Sequence, residues 1–248
     1  MHRNSAGPIA TKREQPRPAT ANYDQPGGPR PLGLIRRRLD YDRKWLLAEA
    51  EKARVRGRRR RAISFYRRIL VVEPHDPNLH ARVAPLLAAT GKRFDAWQSY
   101  RQAAQAHLKN KSRDEGLALY RDATKTLPMQ IEAWQWVAKL ELKRQRSEAA
   151  ISALLEGRAK FRSRRRRPEA IALLREARSI DAWRVDIVLD LARLLGCSGQ
   201  SPEAQWILGQ LAEKMSGRDL RIVRGAQWRI EPSLKHSWNW LRTVTCLH

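Results

Sequence analysis

Between Arg61 and Leu70 the apolar side chains recur three and four residues apart, so that Ala62, Tyr66 and Ile69 fall on one helical face, and Glu73-Pro74 supplies a stop. The spacing predicts an amphipathic helix with a defined end. The same face returns as Ala96, Tyr100 and Ala103, then as Gly116, Tyr120 and Ala123 with Pro128 after it. It returns again as Ala150, Leu154 and Gly157, as Ala170, Leu174 and Ala177, and as Ala204, Leu208 and Leu211. Successive faces lie alternately 34 and 20 residues apart, so the full period is 54.

Other positions keep the same register. Tyr66-Arg67, Tyr120-Arg121, Leu174-Arg175 and Trp228-Arg229 align at 54 residues, as do Ala84, Ala138 and Ala192, followed by Leu86, Leu140 and Leu194. Periods of this size mark arrays in which each unit buries its apolar face against the next. Pro85 falls inside a predicted helix, where it should remove one backbone hydrogen bond and kink the rod.

The 34-residue steps, with small residues at helix crossings, large ones beside them and proline after the second helix, resemble the tetratricopeptide repeat. The residues that carry this are Gly57, Ala62, Tyr66 and Pro74; Ala84, Gly91, Ala96 and Tyr100; Gly116, Tyr120 and Pro128; and Trp134, Ala138 and Ala150. They cover roughly residues 41 to 215. The resemblance implies an all-α fold, a tetratricopeptide-like α-solenoid in which antiparallel helix pairs wind as a right-handed superhelix of about eleven helices. The 20-residue steps depart from the family pattern, since they hold one helix and a turn; the helices near 93–109 and 147–161 should close one repeat and open the next. Trp134 to Glu141 is also similar to the first helix of the HAT (half-a-TPR) repeat, which favours Trp followed seven residues on by Glu.

Three regions follow. Residues 1–38 carry Pro8, Pro16, Pro18, Pro26, Pro29 and Pro31 with almost no apolar side chains, and read as a disordered basic arm that cannot recover its ordering entropy by burial. Residues 39–216 hold the repeat array. Residues 217–248 read as a C-terminal helical extension or cap, with one helix stopped at Glu231-Pro232 and a Trp238-Asn239-Trp240-Leu241 segment that repeats the order of Trp134 to Val137.

Charge narrows the partners. The 248 residues hold 50 Lys and Arg, 38 of them Arg, against 25 Asp and Glu, a net charge of +25. Such an excess repels itself and attracts polyanions and acidic protein segments. The N-terminus lacks an apolar stretch of signal-peptide type and no run is long enough to span a bilayer, which predicts a soluble, cytoplasmic protein with no membrane partner. Cys197 and Cys246 lack metal-ligand spacing and read as inert thiols.

Signatures of phosphate-binding loops, zinc proteases and serine hydrolases are absent, and the six histidines are scattered, His107 at a position that suits a half-buried structural residue. The expectation is a noncatalytic protein without cofactor or metal. The tetratricopeptide resemblance places a peptide-binding groove at Lys44, Glu51, Arg54, Asn78, Gln98, Arg101, Gln105 and Lys109, continuing through Glu132, Gln135, Lys139, Lys143 and Arg193. Amide side chains can bond a peptide backbone and the cations can neutralise carboxylates, which suits an acidic or extended peptide segment of another protein. The same residues would serve equally well as the solvated face of a basic array. Arg58, Arg59, Arg60 and Arg61, and likewise Arg164, Arg165, Arg166 and Arg167, precede helices of equivalent position and could form a polyanion-binding stripe. The reading is a protein-protein interaction scaffold; the alternative is an RNA- or DNA-binding helical-repeat protein, whose affinity would fall steeply with salt. Most tryptophans are expected at helix crossings, with Trp238 and Trp240 open between core and interface.

Overall fold

The computed structural model describes residues 41–245, and all but Tyr41 belong to a unit that begins at Asp42. The arm expected over residues 1–38 lies outside the described residues, as does Cys246. The described chain is all-α: α1 (Arg43–Val55), α2 (Arg59–Val72), α3 (Pro77–Ala89), α4 (Arg93–Lys109), α5 (Arg113–Thr126) and α6 (Ile131–Leu142), then α7 (Ser147–Lys160), α8 (Arg167–Ile180), α9 (Val185–Gly196), α10 (Ser201–Lys214), α11 (Gly217–Ile230) and α12 (Leu234–Thr245). This is the tetratricopeptide-like α-solenoid expected, with twelve helices among the described residues where about eleven were anticipated.

Local chemistry sets the ends. Asp42 and Asp76 cap α1 and α3 by accepting first-turn backbone N–H groups, and Pro77 occupies the first turn of α3 at no hydrogen-bonding cost. Five helices end in one way. The residue after the C-cap is left-handed, at Gly57, Gly91, Lys111, Gln145 and Gly199. The next N–H then bonds back to a carbonyl in the last turn, as from Arg58 to Ala53 at 2.9 Å and from Arg146 to Glu141 at 3.0 Å. The α7–α8 connection breaks this pattern with a short 3₁₀ turn, Arg164–Arg166, which carries the second arginine cluster. Pro85 is exposed and α3 continues through it to Ala89.

The starts of α2, α5 and α8, of α3, α6 and α9, and of α4, α7 and α10 are each 54 residues apart. The unit therefore holds three helices, α4 and α7 being shared as the spacing implied. Each helix packs on its chain neighbours, and links also skip one helix. Arg82 of α3 pairs with Glu51 of α1 at 3.1 Å, Arg67 of α2 with Asp95 of α4 at 2.7 Å, and Arg175 of α8 with Glu203 of α10 at 2.8 Å. Odd-numbered helices thus form one row and even-numbered helices the other. Because the unit has an odd number of helices, equivalent helices alternate between rows.

The core lies between the rows. Alanines with no exposure, among them Ala62, Ala84, Ala96, Ala138, Ala150 and Ala192, let the backbones approach, and Tyr66, Tyr120, Leu154, Leu174 and Leu191 fill the space beside them. α6 contributes to both halves of this core, Val137 and Leu140 to one and Trp134 and Ala138 to the other. Trp134 lies on Gly157 of α7, where a Cβ would come within 2.6 Å of the indole. Its Nε1 donates to the Pro128 carbonyl at 3.1 Å, as the ring of His80 meets the Pro74 carbonyl at 2.9 Å one period earlier.

Tryptophan positions correct the expectation that most would pack at crossings. Trp97 and Trp134 are buried, but Trp45, Trp183, Trp206, Trp228, Trp238 and Trp240 are exposed. The physical reason is visible at two of them: Lys214 sits 5.8 Å over the Trp183 ring and Arg178 5.8 Å over Trp206, so these indoles carry cations instead of filling the core.

Candidate functional site

Three positions recur where a helix, its successor and the next one meet. In the first unit they are Glu51, Tyr66 and Arg82; the Tyr66 hydroxyl donates to Glu51 at 2.5 Å, and Arg54 and Arg82 reach the same carboxylate at 2.7 and 3.1 Å. Burial alone would raise the Glu51 pKa, but the hydrogen bonds from Tyr66 and Arg54 outweigh it and hold the carboxyl below its ordinary value. Burial and the bond to Glu51 push the Tyr66 phenol up to about 12. In the second unit the positions are Gln105, Tyr120 and Trp136. Polar pairing gives way to stacking, with ring centroids 5.3 Å apart and planes at 2°. Lys139 Nζ lies 4.9 Å from the Trp136 ring. Burial pushes Tyr120 up to about 12, with Arg101 opposing. In the third unit Asp190 stands at this place, paired with Arg158 and Arg193.

The rows divide the residues assigned to the groove. Lys44 and Arg54 of α1, Asn78 of α3 and Arg193 of α9 lie in the odd row, where Glu51 neutralises Arg54 and Asp190 neutralises Arg193. Gln98, Arg101, Gln105 and Lys109 of α4 lie in the even row with Gln135 and Lys139 of α6 and its C-cap Lys143. The structure brings together these last seven and separates them from the first four. On α4 and α6 the cations are mostly unmatched: Arg101, Lys109 and Lys143 are exposed and meet no carboxylate among the described residues. Gln135 donates to Glu176 of α8 at 3.1 Å, and burial raises the Glu176 pKa against the opposing effect of Gln135 and Lys139. Glu132 accepts from Gln130 at 2.5 Å. Trp136, Tyr120 and Glu176 complete this surface and were not anticipated; the Trp-rich segment of α6 was the available signal, but it was read as packing.

The arginine clusters open α2 and α8, both in the even row, so parallel helices carry them on one edge. Arg58, Arg59 and Arg60 line a cleft with Gly57 and Thr90, and Arg61 rests 5.6 Å over the Phe65 ring. Arg164 and Arg165 are exposed, whereas Arg166 pairs with Glu169 and Arg167 donates to the Cys197 carbonyl. Glu132 interrupts the edge at the start of α6. His107 is half-buried and bonded to Glu115 at 2.7 Å. No group of three metal-ligating side chains and no helix long and apolar enough to cross a membrane occurs among the described residues.

No family model and no curated protein matches the sequence. Solved structures with a similar helical course include the MamA protein, 15% identical, covering 81% of this chain and 90% of that one with a TM-score of 0.25. A tetratricopeptide repeat protein from Parabacteroides merdae is 13% identical, with 83% and 93% covered and a TM-score of 0.26. The flexible tandem repeat domain of a bacterial cellulose synthase is 20% identical, with 82% and 88% covered and a TM-score of 0.32.

Proposed function

We propose that the chain is a noncatalytic scaffold that binds an acidic, extended segment of another protein along α4 and α6. The observation that carries this reading is the contrast between the rows. Cations of the odd row are matched by Glu51 and Asp190, while Arg101, Lys109 and Lys143 face solvent without a carboxylate among the described residues. An array carrying excess positive charge lowers its self-repulsion when a partner supplies the missing acid groups. Gln98 and Gln105, spaced two turns apart on α4, offer donors and acceptors to a peptide backbone, and Trp136 with Lys139 offers a flat, cationic contact.

A second reading, polyanion binding through the arginine edge, is favoured by Arg58, Arg59, Arg60, Arg164 and Arg165, which also lack acid partners among the described residues. The test uses a labelled Asp- and Glu-rich peptide and a single-stranded RNA of similar length, titrated against the full chain. The scaffold reading expects peptide binding that Arg101→Glu, Lys109→Glu and Lys143→Glu together weaken at least about tenfold, with substitutions in the arginine clusters near neutral. RNA binding lost with the clusters, and peptide binding indifferent to the α4 and α6 reversals, would overturn it.

A further inference from the structure

Arg67, Arg121, Arg175 and Arg229 occupy one position at 54-residue spacing. The first three each meet a carboxylate from a helix further along the chain: Arg67 meets Asp95 at 2.7 Å, Arg121 meets Glu141 at 2.5 Å, and Arg175 meets Glu203 at 2.8 Å. Arg229 is exposed and meets no carboxylate among the described residues. Its surroundings also differ, because Arg229 sits between two apolar clefts. One, of ≈ 390 Å³, runs between α9 and α11 and is lined by Leu189, Ile222, Ala226 and Ile230 with Arg193 and Cys197 at its rim. The other, of ≈ 270 Å³, lies between α11 and α12 beside Trp228 and Trp240. Leu189 and Arg193 on α9, and Ile222 and Ala226 on α11, keep the same four-residue spacing, so two matched stripes form the walls of the first cleft.

We propose that this surface docks an amphipathic helix of another protein, apolar along one stripe and bearing Asp or Glu at the stripe's edge. The carboxylate pairs with Arg229 as Glu203 pairs with Arg175, and the apolar side chains enter the clefts on either side. Charge complementarity selects this occupant over a second copy of the chain. Helices α11 and α12 hold Arg218, Arg221, Arg224, Arg229, Lys235 and Arg242 against Asp219, so two such surfaces brought face to face repel. Trp228, Trp240 and Ile222, exposed by 45%, 40% and 44%, are side chains of the kind that dominate interface energies once a partner excludes water. The surface stands apart from α4 and α6, and reversal of Arg101, Lys109 and Lys143 leaves it unchanged.

The test uses the full chain carrying Cys246→Ser, so that Cys197 at the rim of the first cleft is its one thiol. The probes are a panel of synthetic amphipathic peptides of about five helical turns, differing in apolar spacing, each made with Glu edges and with Lys edges. Glu-edged peptides are expected to bind at least about tenfold more tightly than their Lys-edged counterparts and to slow maleimide alkylation of Cys197. Arg229→Glu is expected to reverse the preference, a gain of affinity for Lys edges that a misfolded chain could not show. Failure of the whole panel to bind, binding indifferent to edge charge, or an unaltered preference in Arg229→Glu overturns the proposal. So does self-association that Trp240→Ala abolishes, since a second copy would then be the occupant.

Discussion

Arg121 Nη2 donates to Glu141 Oε1 at 2.5 Å, with the carboxylate wholly withdrawn from solvent and the guanidinium half-exposed. Two substitutions within the repeat explain the pair. Ala149 stands where the neighbouring units place Asp95 and Glu203, so Arg121 finds no acid on α7; Glu141 stands where they place the core residues Leu87 and Leu195. Removing Arg121 alone strands a buried carboxylate whose Oε2 already lacks a partner. Arg121→Leu is expected to cost about 3 kcal/mol. The double substitution Arg121→Leu with Glu141→Leu should return stability to the wild-type value or above it, because a packed leucine replaces an ion pair that was costly to desolvate. Urea denaturation of the two singles and the double reads the coupling directly.

Lys111 and Gln145 hold left-handed turns, with φ of 63° and 59°, where equivalent turns use Gly57, Gly91 and Gly199. A side chain at such a φ costs about 1 kcal/mol. Lys111→Gly and Gln145→Gly are each expected to stabilise the array by about 0.5–1 kcal/mol in thermal or chemical melts, the relief of strain exceeding the added freedom of the unfolded glycine. Gly91→Ala should destabilise by a similar amount.

Gly157 leaves no room for a methyl group beneath Trp134. Gly157→Ala is expected to destabilise by about 1–3 kcal/mol, since the indole is fixed from the other side by its bond to the Pro128 carbonyl. Ala138→Gly, at a buried site without a side-chain clash, should cost about 1 kcal/mol. Chemical melts that rank the two equally would contradict the assigned contact.

Tyr66 and Tyr120 both have phenols raised from 10.0 to about 12, chiefly by burial. A neutral acid with a raised folded pKa keeps its proton in the folded state after the unfolded chain has lost it. Its contribution is therefore complete below pH 10 and is lost as the pH rises toward 12. Stability measured against pH should fall across that window, and Tyr66→Phe with Tyr120→Phe should flatten the fall.

Much of the architecture was legible because burial follows helical spacing. Ala62, Tyr66 and Ile69 marked the inner face of α2, and the 54-residue register placed Arg58 and Arg164 ahead of equivalent helices. What periodicity could not supply was the row. Spacing along one helix reveals its buried side, but Asn78 and Gln135 become members of opposite rows only through an odd helix count per unit. Pairing across that register was equally hidden, since whether an arginine finds an acid depends on single substitutions such as alanine at 149. The exposed indoles of Trp183 and Trp206 looked like core because composition does not show that Lys214 and Arg178 lie over them.

The central claim is that an acidic segment docks across α4 and α6. Photo-crosslinking of a benzophenone-bearing Asp- and Glu-rich peptide to the full chain, followed by mapping of the modified residues, tests it most directly. The account predicts adducts concentrated near Arg101, Gln105, Lys139 and Lys143, competed by unlabelled peptide and lost on charge reversal there. Adducts confined to the arginine-rich starts of α2 and α8, or yields no greater than those of an uncharged peptide, would contradict it.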